Sequence, residues 1–317
     1  MTIRLQYLIS YSELYKISIS NFIMLSKSFI IVNPYSINFK SIKNYLKKRR
    51  MKYYISYDKK YLQEIIENKI NEGFKKFVIC GGDGTINVFI NLIMKLPDNQ
   101  NNFIKIGIIP CGRANDLARY MRIPLDFEKA LEKVNSDNIK KIDLIKINNN
   151  YMITGGGIGL PSEIIQDVDN FSSSFVGKLF KNILGEYLYF IFTIKKFIFG
   201  YKGIDIKSDK GKLLAIYIMN QSFLGKRFNL APEAKNDDGY FDIKIVKIPP
   251  LFLNNLITLS KGINGRLSEL DWVKEKKSNK ISFFLNKPSY FMGDGELLEC
   301  CDKFTIEIIP EAINLIC

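Results

Sequence analysis

One pentapeptide constrains the fold more than any other stretch. Gly81-Gly82-Asp83-Gly84-Thr85 follows an apolar run, Lys76 to Cys80, and precedes residues 86–96, whose apolar spacing is helical. A glycine-rich turn in that position belongs where a parallel strand hands the chain to a covering helix. The surrounding sequence repeats the pattern. Residues 28–32 (SFIIV) read as a buried strand closed by Asn33-Pro34, 38–49 as a basic helix and 52–57 as a strand. Residues 59–72 carry Leu62, Ile65, Ile66 and Ile70 at amphipathic spacing, and Ile104 to Ile109 form the next strand. This βαβαβ alternation predicts a three-layer α/β domain, with a parallel sheet between layers of helices.

Past about residue 146 the texture changes. Short strand-like runs at 151–154, 203–208, 213–219, 240–247, 281–285, 289–292 and 303–309 alternate with polar turns, and helical segments fall near 162–168, 175–199 and 250–262. That pattern predicts a mainly antiparallel β-sandwich with helical insertions. At 317 residues the chain is long for one core. The expected organisation is an extension at 1–26, an α/β domain at 27–147 and a sandwich at 148–317, with a return of the last strand to the first domain left open. The extension is read as an unstructured arm or the product of a start codon placed upstream.

The chain has no histidine. This removes Ser-His-Asp triads, Cys-His dyads and His-ligated zinc, and leaves proton transfer at neutral pH to a carboxylate, Lys, Tyr or Cys. The five cysteines form no C-x-x-C pair and read as reduced thiols of a cytoplasmic protein. Lys and Arg exceed Asp and Glu, 46 to 32, for a net charge of +14. Part of that excess fits the Ile-, Lys- and Asn-rich composition of an AT-rich genome, and part favours anionic partners such as phosphates or an acidic membrane. No basic-aromatic module supports nucleic-acid binding. The most apolar segment, Tyr187 to Phe199, is interrupted by Lys195 and Lys196 and is too short to span a bilayer.

Three motifs carry candidate chemistry. In the first, the glycines of 81–85 let backbone approach a phosphate at a helix N-terminus, Thr85 can cap the helix or bond a phosphate oxygen, and Asp83 can hold Mg²⁺. The loop is expected to be a surface turn outside the core. The second, Pro110-Cys111-Gly112-Arg113-Ala114-Asn115-Asp116-Leu117-Ala118-Arg119, also follows a strand and can present a carboxylate to the first loop; taken alone it is equally a helix cap. The third, Met292-Gly293-Asp294-Gly295-Glu296, is a tight turn bringing two carboxylates to the end of a strand, and taken alone it is a hairpin. There is no G-x-x-x-x-G-K-[ST] loop. Gly155-Gly156-Gly157-Ile158-Gly159 does not match G-x-G-x-x-G and is read as a close backbone approach at the cleft.

In order and spacing these motifs, with Asn33-Pro34, Ile142-Asp143-Leu144 and Ala231-Pro232-x-Ala234-x-x-x-Asp238-Gly239, resemble the diacylglycerol kinase catalytic-domain family, in particular its bacterial lipid kinases related to sphingosine kinases. The resemblance implies an ATP- and Mg²⁺-dependent lipid kinase acting on a hydroxyl of a diacylglycerol-like membrane lipid, with the active site in the cleft between the domains. It implies a catalytic set of Glu296, the base, with Asp83 and Asp294. Gly81, Gly82, Asp83, Gly84, Thr85, Asn33, Ser56, Gly112, Arg113, Asn115 and Asp116 would bind nucleotide. Asp83 and Asp116 would support the catalytic Mg²⁺, and Asp238 with the carbonyls of Lys235 and Tyr240 a second, structural one. Peripheral contact with an anionic membrane is expected, and a homodimer is left open. Relatives usually have Asn-Glu where this chain has Asn87-Val88, and Gly-Thr where it has Gly112-Arg113, whose guanidinium can fork onto phosphate. Two rival readings remain: an NAD kinase-like enzyme, which would need a Gly-Ser-Thr-Ala-type segment absent here, and a non-catalytic lipid-binding member of the fold.

Overall fold

Strands β1 (Ser28–Val32), β2 (Tyr53–Ile55), β3 (Lys76–Gly81) and β4 (Lys105–Pro110) run parallel in the order β2-β1-β3-β4. β1, β3 and β4 are buried on both faces, so they are largely apolar, and successive residues serve opposite sides, while β2 is a half-buried edge. Phe77 and Ile79 of β3 meet Leu62 and Ile66 of α2 (Lys59–Asn71) and Phe89 and Ile90 of α3 (Asp83–Ile93). Val78 and Cys80 meet Ile42 and Leu46 of α1 (Phe39–Lys48) on the other side. Between β4 and the second domain lie α4 (Asp116–Tyr120) and α5 (Phe127–Asn135), whose Leu131 and Val134 complete the α1 layer. The protein is seen as a computed structural model that describes residues 28–97, 103–136, 138–185, 187–207 and 211–317. The expected extension at 1–26 lies outside the described residues.

The second domain starts from β5 (Ile139–Ile147), β6 (Asn150–Met152) and β7 (Gly155–Gly159). It continues through α6 (Leu160–Ser172), α7 (Phe175–Leu184), α8 (Tyr187–Phe199), β8 (Ile204–Asp205) and β9 (Lys212–Met219). A small ribbon of β10 (Phe223–Leu224) and β11 (Phe228–Asn229) precedes β12 (Phe241–Lys247), α9 (Phe252–Ile263), β13 (Val273–Ser278), β14 (Lys280–Gly293) and β15 (Glu296–Ile316). The strands pair antiparallel as β13-β12-β9-β7-β14-β15 and curl around one core. Ile147, Ile218, Phe241, Phe291 and Phe304 meet there. The other face of β9 and β12 is covered by α6 and α8, through Leu160, Val168, Leu188 and Phe192. Fold class is thus an α/β domain joined to a β-sandwich domain.

β15 joins the two. Its first half pairs with β14, it then runs antiparallel to β5, and its end lies parallel to β4 with Leu315 opposite Ile106. Among the described residues, thirteen strands therefore share one ladder. The single helical segment expected over 175–199 is broken: Gly185 has φ 57° and ψ −121°, a conformation open mainly to glycine, which stops α7 and turns the chain into α8. No helix among the described residues is long and apolar enough to cross a membrane.

Candidate active site

The glycine loop and the second loop meet backbone to backbone. A Cβ on Gly82 would lie 2.8 Å from Gly112 Cα, and one on Gly81 would lie 2.6 Å from Thr85 Cβ, so neither position accepts a side chain without movement. Asn115 holds the second loop in shape. In a left-handed conformation (φ 53°), its Oδ1 accepts from Gly112 N–H (2.9 Å) and its Nδ2 donates to Gly112 O (2.9 Å). Asn33 Nδ2 donates to Thr85 Oγ1 (2.6 Å), tying the turn after β1 to the start of α3.

Asp83 departs from the surface turn expected of it. Its carboxylate faces the start of α4, accepting from Leu117 N–H at 3.2 Å. Burial raises its pKa, and backbone N–H groups of Asp116, Leu117, Asp83 and Asn115 pull against that shift. The aspartate therefore also fastens the two loops together.

The hairpin between β14 and β15 faces the loops. Asp294 (φ 50°) and Gly295 (φ 83°) are its two central residues, with Gly293 paired to Glu296; two consecutive positive φ values make a type I′ turn. The turn sends the two carboxylates in different directions. Asp294 is buried, and its oxygens accept from Thr154 N–H (2.8 Å), Thr154 Oγ1 (2.6 Å), Ile153 N–H (2.9 Å) and Asn87 Nδ2 (2.6 Å). Burial raises its pKa against those four donors. Glu296 is exposed to the cleft and lies over the glycine loop: a Cβ on Gly84 would be 3.2 Å from Glu296 Oε1.

One cleft is bordered by Asn33, Ser56, Gly82, Asp83, Gly84, Thr85, Gly112, Arg113, Asp116, Asp294 and Glu296. Gly81 and Asn115 stand behind the loops and shape them. Arg113 reaches across to the second domain, where Nη1 donates to the carbonyl of Lys181 on α7 (2.7 Å). Asp238, Lys235 and Tyr240 lie away from the cleft. Tyr240 N–H donates to Asp238 Oδ1 (3.1 Å), and the Lys277 ammonium sits 3.0 Å from Oδ2 and 3.7 Å from Asp242. A cation of the chain itself thus pairs with the carboxylate expected to hold the structural Mg²⁺. Among the described residues no three His, Cys, Asp or Glu side chains converge as a metal cage. The cleft suits instead a cation held by one or two carboxylates and completed by substrate phosphates and water, the usual habit of Mg²⁺.

Several structuring residues escape sequence reasoning. Asn87 and Asn91, buried four residues apart on the otherwise apolar α3, bond Tyr151 O and N–H and, through Asn87, Asp294. Two amides on a buried helix face were the available signal. Asp143 of the Ile-Asp-Leu motif accepts from Gly239 N–H and Glu311 N–H (2.8 Å each), pinning the Asp-Gly turn to β15 where it crosses between domains.

Residues 27–147 match the family model of the diacylglycerol kinase catalytic domain, and residues 200–317 match that of the YegS C-terminal NAD kinase beta sandwich-like domain. The diacylglycerol kinase of Staphylococcus aureus (strain JH9) is 29% identical over 225 residues, covering 68% of this chain and 67% of that protein. Among solved structures, a diacylglycerol kinase from Bacillus anthracis str. Sterne superposes with TM-score 0.63 at 17% identity, covering 91% of this chain and 96% of its own. Another chain from that organism reaches TM-score 0.70 at 20% identity, covering 91% and 94%. The fold is that of these kinases. Over residues 27–147 the chain is thus similar to the diacylglycerol kinase catalytic-domain family.

Proposed function

We propose that this protein is an ATP- and Mg²⁺-dependent lipid kinase that phosphorylates a hydroxyl of a diacylglycerol-like membrane lipid. The observation that carries the reading is Glu296 lying over Gly84, which puts a carboxylate at the mouth of the glycine loop. The N-terminus of α3 and its close-packed glycines suit the nucleotide phosphates. Asp83 and Asp116 would hold Mg²⁺, which when bound neutralises phosphate charge. Glu296 takes the proton from the acceptor hydroxyl as its oxygen bonds to the γ-phosphorus and ADP leaves. Phosphoryl transfer is governed by positioning and electrostatics, so this set suffices without a histidine. Asp294, with every bond turned inward, orients the hairpin that presents Glu296, which replaces its expected catalytic role with a positioning one. The test is labelled-ATP transfer to a panel of diacylglycerol, phosphatidylglycerol, sphingoid base and polyprenol in mixed micelles, with NAD as control. Label in a lipid is expected; label in NAD alone would reverse the reading.

The same reading requires contact with a bilayer. Of the lysines of α7, α8 and α9, Lys181, Lys196 and Lys261 pair with Asp169, Glu163 and Glu269, whereas Lys178 and Lys195 are exposed. The outer faces of these helices leave Phe175 (85%), Phe199 (80%) and Leu253 (68%) exposed. Apolar side chains flanked by lysine complement an anionic bilayer, where each basic residue near the surface adds about 1 kcal/mol. α8 is divided: Leu188, Phe192 and Phe197 are core, and Tyr187, Ile191, Ile198 and Phe199 face outward. Sedimentation with vesicles should rise with anionic lipid content, fall with salt and weaken in Phe175→Ser/Leu253→Ser. Binding indifferent to all three would remove this surface.

A further inference from the structure

The cleft has a rim on the first domain that the catalytic loops do not use. Strands β2 and β1 end beside the glycine loop in the order β2-β1-β3, and the turns leaving them bring Tyr35, Ile37, Ser56 and Tyr57 to the cavity that Gly82 and Gly84 line. The parallel register sets Val32 opposite Ile55, so the two turns lie side by side. Tyr35 is 84% exposed, Tyr57 66% and Ile37 65%. Apolar side chains scattered singly over a surface need no explanation. Two aromatic rings and an isoleucine gathered on one rim of a candidate nucleotide cleft do need one.

The rings are exposed, yet the backbone that carries them is fixed. Asn33 Oδ1 accepts from Tyr35 N–H (2.8 Å) and Asn33 O from Ser36 N–H (3.2 Å), while Ile37 N–H donates to Cys111 O of the second loop (3.2 Å). The same Asn33 donates through Nδ2 to Thr85 Oγ1 (2.6 Å). One side chain therefore ties the Tyr35 turn to the N-terminus of α3. Tyr57 is bracketed in the same way: Ser56 N–H donates to Val32 O (3.0 Å), and Asp58 caps α2 by accepting from Lys60 N–H (2.7 Å). A nucleotide whose phosphates meet the start of α3 can lay its base in two directions. Toward the second domain, Glu296 stands over Gly84. Toward β1 and β2 the base meets the tyrosines. Every base has a π-face for an aromatic ring to stack on, and tyrosine offers a rigid surface with only two torsions to fix.

We propose that Tyr35 and Tyr57 hold the nucleobase by stacking, and that this rim selects a purine over a pyrimidine nucleotide by ring area. The proposal rests on the reading of the glycine loop as the nucleotide phosphate site of a lipid kinase, and it names the groups that grip the other end of that nucleotide.

The experiment is isothermal titration of the full chain with Mg·ATP, Mg·CTP and Mg·tripolyphosphate, the last carrying phosphates without a base. Wild-type protein should bind ATP more tightly than CTP, and CTP more tightly than tripolyphosphate. Tyr35→Ala and Tyr57→Ala should each weaken ATP binding roughly 5- to 100-fold, the usual worth of one base–aromatic stack, and leave tripolyphosphate binding unchanged. Tyr35→Phe and Tyr57→Phe keep the ring and should bind ATP as the wild type does. Both side chains are exposed, so all four variants are expected to fold, and circular dichroism melts verify it. Equal losses of ATP and tripolyphosphate affinity in the alanine variants would make the tyrosines structural, and unchanged ATP affinity in both would put the base elsewhere. Either result overturns the proposal, as does a wild-type protein that binds ATP no better than tripolyphosphate. The two readings fail separately. Tyrosine-dependent ATP binding with no label passed to any lipid would remove the lipid kinase and keep the stack. Lipid labelling with ATP affinity insensitive to both tyrosines would remove the stack and keep the kinase.

Discussion

Asp294 and Glu296 flank the same glycine, and the left-handed turn between them gives one to the interior and the other to the cleft. Replacing each therefore has a different consequence. Glu296→Gln keeps shape and removes the proposed base, so kcat should fall roughly 10²–10⁴-fold. Stability should stay within about 0.5 kcal/mol, as for an exposed side chain. Asp294→Ala strands four buried donors, each worth about 1–3 kcal/mol when left unpaired. Its thermal midpoint should drop steeply, and turnover should fall with it. Steady-state kinetics beside thermal melts decide the matter, and near-normal turnover in Glu296→Gln would put the base elsewhere. Asp83 falls between these cases, since it borders the cleft and also fastens α4, so Asp83→Asn should lose both activity and some stability.

The parallel domain was legible because each buried strand is a continuous apolar run with turn residues at its end. Elements whose reason lies far along the chain were not. α3 starts at Asp83, inside what looks like a loop, so Gly84 and Thr85 of the motif are already helical. β7 is a central strand built mostly of glycine, against strand propensity. A Cβ on Gly156 would run into Met292 O and one on Gly157 into Ile216 O, carbonyls of its two neighbouring strands. The close approach could be read from the sequence; the strand could not. The α7–α8 break had one local signal, Gly185, and its partner Arg113 is supplied by the other domain. At φ 57° an alanine is strained by about 1–2 kcal/mol. A Cβ there would also sit 3.2 Å from Arg113 Cδ. Gly185→Ala should therefore destabilise locally by about that amount. Arg113→Ala removes the bond to Lys181 O, worth about 0.5–1.5 kcal/mol. Amide hydrogen exchange should quicken in α7 by roughly two- to tenfold in Arg113→Ala and roughly five- to thirtyfold in Gly185→Ala, and stay unchanged in β1, β3 and β4. Uniform acceleration, or none, would mean that this contact does not hold α7 to the first domain.

A cleft between two domains needs them held at a fixed distance, and β15 is the strand that spans both. Asp143 fixes the crossing point by accepting from Glu311 N–H in the strand and from Gly239 N–H in the adjacent turn, and Glu311 itself takes a left-handed φ of 50° as the register shifts. Beyond it, Ile313, Leu315 and Ile316 are buried in the first domain. At about 1.5–3 kcal/mol per buried aliphatic side chain, these three contribute roughly 5–9 kcal/mol, comparable with the whole stability of a typical domain, about 5–15 kcal/mol. The last residues are thus part of the nucleotide half, although nearly the whole sequence separates them from β1. Full-length protein should melt in one transition, because the shared ladder couples the halves. Deleting residues 312–317 should leave the sandwich with its own transition and lower or abolish that of the α/β domain. ATP binding should go with the α/β domain. Calorimetry of the two proteins, with and without nucleotide, separates these outcomes. A truncated protein with one unchanged transition and wild-type ATP affinity would show that the glycine loops hold their geometry without the final strand.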